Sequence, residues 1–184
     1  MNKLLGEYQS LYYFGAPFTK AGPMTPKELT ISYRYFANES ELPVEFQNLL
    51  KNAENALDLA YAPYSHFQVG AALLMESGEI ITGANQENAA YPSGLCAERT
   101  AIYYAGAHHP KEKIKAVFVV ARKEDQTELI AACPCGACRQ AMLEYEDRQN
   151  SPIPVIFRMG KSGFVAINSV ADLLPFKFDS DSLN

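Results

Sequence analysis

The chain has 184 residues, 48% of them hydrophobic, which suffices for one well-buried core and is short for two ordinary domains. Its 16 basic and 21 acidic residues leave a net charge of −5, and with no basic block this argues against a surface that tracks the phosphates of DNA or RNA. No apolar stretch is long enough to span a bilayer, and the N-terminus lacks the pattern of a secretory leader, so the expected location is cytoplasmic.

Residues 1–27 carry Tyr12, Tyr13, Phe14 and Phe18 among Gly15, Pro17, Gly22, Pro23 and Pro26 with no helix or strand period, and read as a poorly ordered arm. Met24 reads as a candidate alternative start of translation. Leu29 to Phe36 alternates with β-branched and aromatic residues, as an edge strand or a docking arm would. From Pro43 the pattern changes. Phe46, Leu49, Leu50, Ala53, Leu57 and Ala60 recur at spacings of three and four, which predicts a helix with Pro43 at its tolerant first turn.

Phe67–Met75 and Glu79–Ala84 read as two strands joined at Ser77-Gly78, the first apolar on both faces as in a covered sheet. Asn85–Leu95 is a loop, interrupted by Pro92, Ser93 and Gly94. A helix from about Cys96 should end near Gly106, before Pro110. Ala116–Ala121 is wholly apolar, as a central strand is, and the polar run Arg122–Glu128 leads to a helix at Cys135. Pro154–Arg158 and Phe164–Ile167 predict a hairpin, after which Ser169 caps a short helix closed by Pro175. The order predicts a three-layer α/β/α fold with a mixed five-stranded sheet.

The chemistry gathers at two helix starts. Cys96-Ala97-Glu98-Arg99 places a thiol two residues from a carboxylate, and Pro134-Cys135-Gly136-Ala137-Cys138 supplies a second thiol pair at metal-ligand spacing. Three thiolates would hold one zinc and leave one tetrahedral position open, as catalytic rather than structural sites do. Helix N-termini favour the thiolate form, and Glu98 is placed to take a proton from water and hand it on. Four cysteines make a poor disulfide framework, and three serve better as metal ligands in a reducing compartment. Cys133-Pro134-Cys135 could chelate instead, but its close spacing suits one tetrahedral metal less well than the Cys135–Cys138 gap, so Cys133 is expected to be a buried free thiol near the pocket. His66, His108 and His109 are expected to be solvated or core residues.

Around these motifs the chain resembles the homotetrameric, three-cysteine cytidine deaminases. The resemblance runs through Tyr64-Ser65-His66-Phe67-Gln68-Val69-Gly70, Asn85-Gln86-Glu87-Asn88-Ala89-Ala90-Tyr91-Pro92, Cys96-Ala97-Glu98-Arg99 and Pro134-Cys135-x-x-Cys138. It implies a deaminase-like domain over 43–184, with 1–42 an N-terminal extension, partly disordered or a docking arm. It also implies zinc on Cys96, Cys135 and Cys138, with Glu98 shuttling protons as water attacks C4 of cytosine and ammonia leaves. Arg99 would balance the thiolate charge; Asn85 and Glu87 would hold the ribose hydroxyls. Phe67 would pack on the pyrimidine, with Ala97 contacting substrate, while Tyr91 and Phe178 would reach a neighbouring subunit's site. Phe176 competes with Phe178 for that last role.

The implied reaction converts cytidine and deoxycytidine to uridine and deoxyuridine in pyrimidine salvage, on a free nucleoside, with neither polymeric nucleic acid nor membrane as partner. Two alternatives stay open. One is a deaminase of another aminopyrimidine compound, such as a nucleoside antibiotic. The other is a zinc-stabilised binding module or thiol redox protein, which would leave Glu98 without a task.

Overall fold

The computed structural model describes residues 27–161 and 163–183. The arm expected over 1–27 and the alternative start at Met24 lie outside the described residues, Lys27 excepted. The chain divides into two units, Met1–Thr30 and Ile31–Asn184. Of the first, only Lys27–Thr30 is described, exposed and without regular structure.

In the second unit the elements follow as β1 (Tyr33–Phe36), α1 (Val44–Leu57), β2 (Phe67–Met75), β3 (Ile80–Ala84), α2 (Ala97–His108), β4 (Ile114–Lys123), α3 (Gly136–Gln149), β5 (Val155–Met159) and β6 (Gly163–Ile167). The strands form one mixed sheet in the order β1-β6-β5-β4-β2-β3. All neighbours are antiparallel except β4 and β5. A parallel pair needs a long crossover, and α3 provides it. The sheet therefore has six strands rather than the expected five. The sixth is β1, whose residues Tyr33 to Phe36 pair with Ile167 to Phe164 at the edge. The alternation of Leu29 to Phe36 left an edge strand and a docking arm both open, and the pairing with a partner some 130 positions away decides for the edge strand.

Strand alternation sorts the core into two layers. Ala116, Phe118 and Val120 of β4 face α1, packing on Phe46, Leu49, Leu50, Ala53 and Leu57. Val117 and Val119 face the other way, towards Ala101 and Ile102 of α2 and Met142 and Leu143 of α3. Both sides of β4 are thus buried, which is why its sequence is an unbroken apolar run.

The close approach of α2 to β3 depends on Gly83, where a Cβ would stand 2.6 Å from both the Ala97 carbonyl oxygen and the Ala101 nitrogen. At the other end of α3, Asn150 adopts a left-handed conformation with φ 48° and closes the helix. The helix expected after Ser169 is a single 3-10 turn, Ala171–Leu173. Ser169 Oγ does accept from the Ala171 N–H at 3.1 Å, while donating to Glu146 at 2.6 Å. No described helix is long and apolar enough to cross a membrane.

Candidate active site

Two helix starts converge beside the sheet. Cys96 is the N-cap of α2 and Cys135 the N-cap of α3, both extended and neither spending its side chain on a capping hydrogen bond. Their thiols are therefore free to meet. Cys96 Sγ lies 3.9 Å from Cys135 Sγ, Cys135 Sγ lies 3.5 Å from Cys138 Sγ, and all three sulfurs fall within 4.8 Å of one another.

A zinc ion bound tetrahedrally at the usual ~2.3 Å spaces its sulfur ligands about 3.8 Å apart, which the Cys135–Cys138 and Cys96–Cys135 separations bracket, so the cluster suits zinc. Among the described residues no histidine or carboxylate joins it as a fourth ligand, which leaves one coordination position open. The local electrostatics favour ligation. The Cys96 thiol is pushed down to about 5 by its hydrogen bond from Cys138, reinforced by Arg99, whose Nη2 stands 3.6 Å from the sulfur. The same contact with Cys96, together with burial, pushes the Cys138 thiol up. A thiol that coordinates a dication is deprotonated outright.

Glu98, in the first turn of α2, is only 4% exposed. Burial pushes its carboxyl above the ordinary carboxylate range, and the neighbouring Cys96 thiolate pushes it further. The product is a buried carboxyl group with a raised affinity for its proton beside the thiol cluster, the setting a proton shuttle requires.

A cavity of about 450 Å³ opens onto this cluster. Cys96, Glu98, Arg99 and Cys135 line it together with Phe67, Asn85, Glu87 and Tyr91. Asn85 is buried, its amide accepting from the Val69 N–H at 2.8 Å and donating to the Phe67 carbonyl at 2.8 Å. One N–H and one lone pair remain for another partner. The Glu87 carboxylate accepts from the Tyr64 N–H at 3.0 Å, the Ser65 N–H at 3.2 Å and the Ser65 hydroxyl. The Ser65 hydroxyl is the main reason its carboxyl is held below the usual range.

Not every expected residue arrives. The Ala97 side chain is wholly buried in the core. Phe178 and Phe176, expected at a neighbouring subunit's site rather than this one, are 58% and 100% exposed. Cys133 is exposed, not buried as expected. It lies in the loop ahead of α3, lining the cavity with its sulfur turned to Arg139, whose Nη2 is 3.1 Å away. Ser65 was not singled out from sequence. Its link to Glu87 spans 22 positions and follows no local pattern. A second cavity of about 530 Å³, beside His109 and Tyr145 at the far ends of α2 and α3, has no thiol among its lining residues.

Converging helix starts that supply three thiols and a buried carboxyl define a metal-dependent hydrolytic class, and comparison with known proteins gives that class its name. Residues 44–151 match the family model of the cytidine and deoxycytidylate deaminase zinc-binding region. The cytidine deaminase of Halalkalibacterium halodurans is 41% identical over 139 residues, covering 75% of this chain and 97% of that one. That of Sporosarcina psychrophila is 39% identical over 141 residues, covering 77% and 96%. Among solved structures, the cytidine deaminase of Burkholderia pseudomallei superposes with a TM-score of 0.58 at 38% identity, covering 71% of this chain and 97% of that one. The chain belongs to the cytidine deaminase family. It is a zinc-dependent enzyme of the α/β class.

Proposed function

We propose that the protein hydrolytically deaminates free cytidine and deoxycytidine, giving uridine or deoxyuridine and ammonia. The observation that carries this is the buried Glu98 carboxyl beside three clustered thiols, in a cavity that also presents Asn85 and Glu87. Zinc on Cys96, Cys135 and Cys138 would supply the Lewis acidity that makes water nucleophilic at neutral pH. Three thiolates and a dication sum to a net charge of about −1, which Arg99 and the two helix N-termini offset.

Glu98 takes the proton from the attacking water and delivers protons to the ring and to the departing amino group, a task suited to its raised affinity for the proton. Phe67 covers a face of the base. The spare N–H and lone pair of Asn85 and the anionic Glu87 serve the ribose hydroxyls, and a site built on such bonds rejects compounds lacking them. The net charge of −5 disfavours polymeric nucleic acid.

The setting that suits this chemistry is pyrimidine salvage in the cytoplasm, in a homotetramer. Tyr91 supports the oligomer: it lines the cavity yet is 74% exposed, an aromatic with room to reach beyond its own subunit. Phe178 is exposed enough to do the same. The test is ammonia release and the ultraviolet change on adding cytidine, deoxycytidine, cytosine and CMP separately to protein of measured zinc content. Turnover of the two nucleosides alone is expected. Equal turnover of free cytosine would remove the ribose-reading role of Asn85 and Glu87.

A further inference from the structure

We propose that Arg139 is a positioning residue for the metal-binding loop, with Cys133 serving as its sulfur acceptor rather than as a metal ligand. The proposal rests on the zinc deaminase reading above and deepens it. The loop that delivers Cys135 is thinly supported: among the described residues, Cys133 and Pro134 take part in no main-chain to main-chain hydrogen bond. The Arg139 guanidinium does the holding instead. Its Nε donates to the Pro134 carbonyl at 2.8 Å, its Nη2 contacts Cys133 Sγ at 3.1 Å, and its Nη1 donates to the Leu173 carbonyl at 2.9 Å.

The Pro134 carbonyl belongs to the peptide plane that begins Cys135, so fixing that oxygen fixes the direction in which Cys135 leaves the loop. A planar guanidinium with its donors in a rigid fork holds all three points together, tying the loop to the C-terminal turn at Leu173. The placement is otherwise unfavourable, because a cation in the first turn of α3 lies at the positive end of the helix dipole. Arg139 does not line the catalytic cavity. It acts through Cys135, whereas Arg99 touches the Cys96 sulfur directly. Cys133 stands outside the three-sulfur cluster, and its contact with the guanidinium accounts for where its sulfur points.

The experiment compares Arg139→Ala, Arg139→Lys, Cys133→Ala and Cys133→Ser with wild type in the zinc-loaded full chain. Zinc release to a chromophoric chelator is read beside kcat, KM and the circular-dichroism melt. Loss of Arg139 is expected to speed zinc release and lower kcat by about 10- to 100-fold each, with KM for cytidine within about twofold. Arg139→Lys should recover part of both. Cys133→Ala should bind one zinc per chain but release it faster, and Cys133→Ser should restore the slower rate.

A folded Arg139→Ala protein with wild-type zinc release overturns the proposal. If that variant does not fold, Arg139→Lys and the Cys133 pair decide: wild-type release in all three overturns it equally. Cys133→Ala protein that no longer binds zinc stoichiometrically would make Cys133 a ligand and overturn its assignment. Wild-type protein that binds zinc but turns over no nucleoside would count against the deaminase reading alone, since zinc release still tests Arg139.

Discussion

Gly83→Ala should disturb the active site from behind. The added Cβ would stand 2.6 Å from the Ala97 carbonyl oxygen, 2.6 Å from the Ala101 nitrogen and 3.0 Å from Ala101 Cβ. Two of these are helix backbone, which cannot rotate aside. Ordinary contact begins at 3.4 Å, so β3 and α2 must separate by about 0.8 Å, the difference between 3.4 and 2.6. Helix α2 begins at Ala97, is capped by Cys96 and carries Glu98 in its first turn, so the shift passes to one thiol of the metal-binding cluster and to the proposed proton shuttle together.

Overpacking of this kind costs about 1–3 kcal/mol, offset by roughly 0.4–1 kcal/mol because alanine restricts the unfolded chain. A net loss of about 1–2 kcal/mol corresponds to a melting-point drop of roughly 2–8 °C for a chain of this size. Misplacement approaching 1 Å costs up to about 100-fold in rate. Thermal melts of zinc-loaded protein, zinc content and steady-state kinetics read these effects. Gly136→Ala is the control, because its Cβ would meet nothing within 4 Å; with no clash to oppose it, the same restriction of the unfolded chain should leave its stability at or up to about 1 kcal/mol above wild type. Gly83→Ala with wild-type melting point and turnover would refute the claim that helix position is transmitted to Cys96 and Glu98.

Glu98→Gln should keep zinc and fold while kcat falls by about 10²- to 10⁴-fold, and unchanged turnover would take Glu98 out of the mechanism. Glu146 is buried and accepts from the Ile153, Val170 and Ala171 N–H groups and the Ser169 hydroxyl. Glu146→Ala leaves these donors unpaired and should cost about 3 kcal/mol or more in urea unfolding; an unchanged midpoint would refute this. The Glu87 carboxyl is held below its ordinary value, so its contribution to stability is complete above the unfolded value of about 4.3 and is lost as pH falls through the lower folded value. The melting-point gap between wild type and Glu87→Gln should therefore narrow from pH 6 towards pH 3. A gap independent of pH would show that the Ser65 contact does not depend on the charge.

Much of the fold was legible where periodicity is local. The spacing of Phe46, Leu49, Leu50, Ala53 and Leu57 marks α1, and the unbroken apolar run of β4 marks a strand covered on both faces. Helix α2 runs two residues past the expected end at Gly106, to His108. Helix boundaries depend on the last few backbone hydrogen bonds, which no single residue announces. The metal cluster was legible for the same reason as α1: Cys135 and Cys138 lie three apart on one helix turn, and Cys96 opens another.

The family resemblance implies ribose contacts for Asn85 and Glu87, and in the structure each also holds its own chain in place. Asn85 ties down the start of β2, and Glu87 holds the Tyr64-Ser65 turn. Both duties are contacts across 16 or more positions, beyond the reach of any window on the chain.

Taken alone, the sequence determined which segments become helices and strands and which side chains could bind a soft metal, because hydrophobic period, helix punctuation and ligand chemistry are properties of neighbouring residues. Only the tertiary structure decided that Tyr33–Phe36 completes the sheet, that Cys133 faces Arg139 in the open and that α2 approaches β3 through Gly83. The first and third depend on bringing distant segments into contact, and the energy of such contacts is set by packing in three dimensions rather than by residue order.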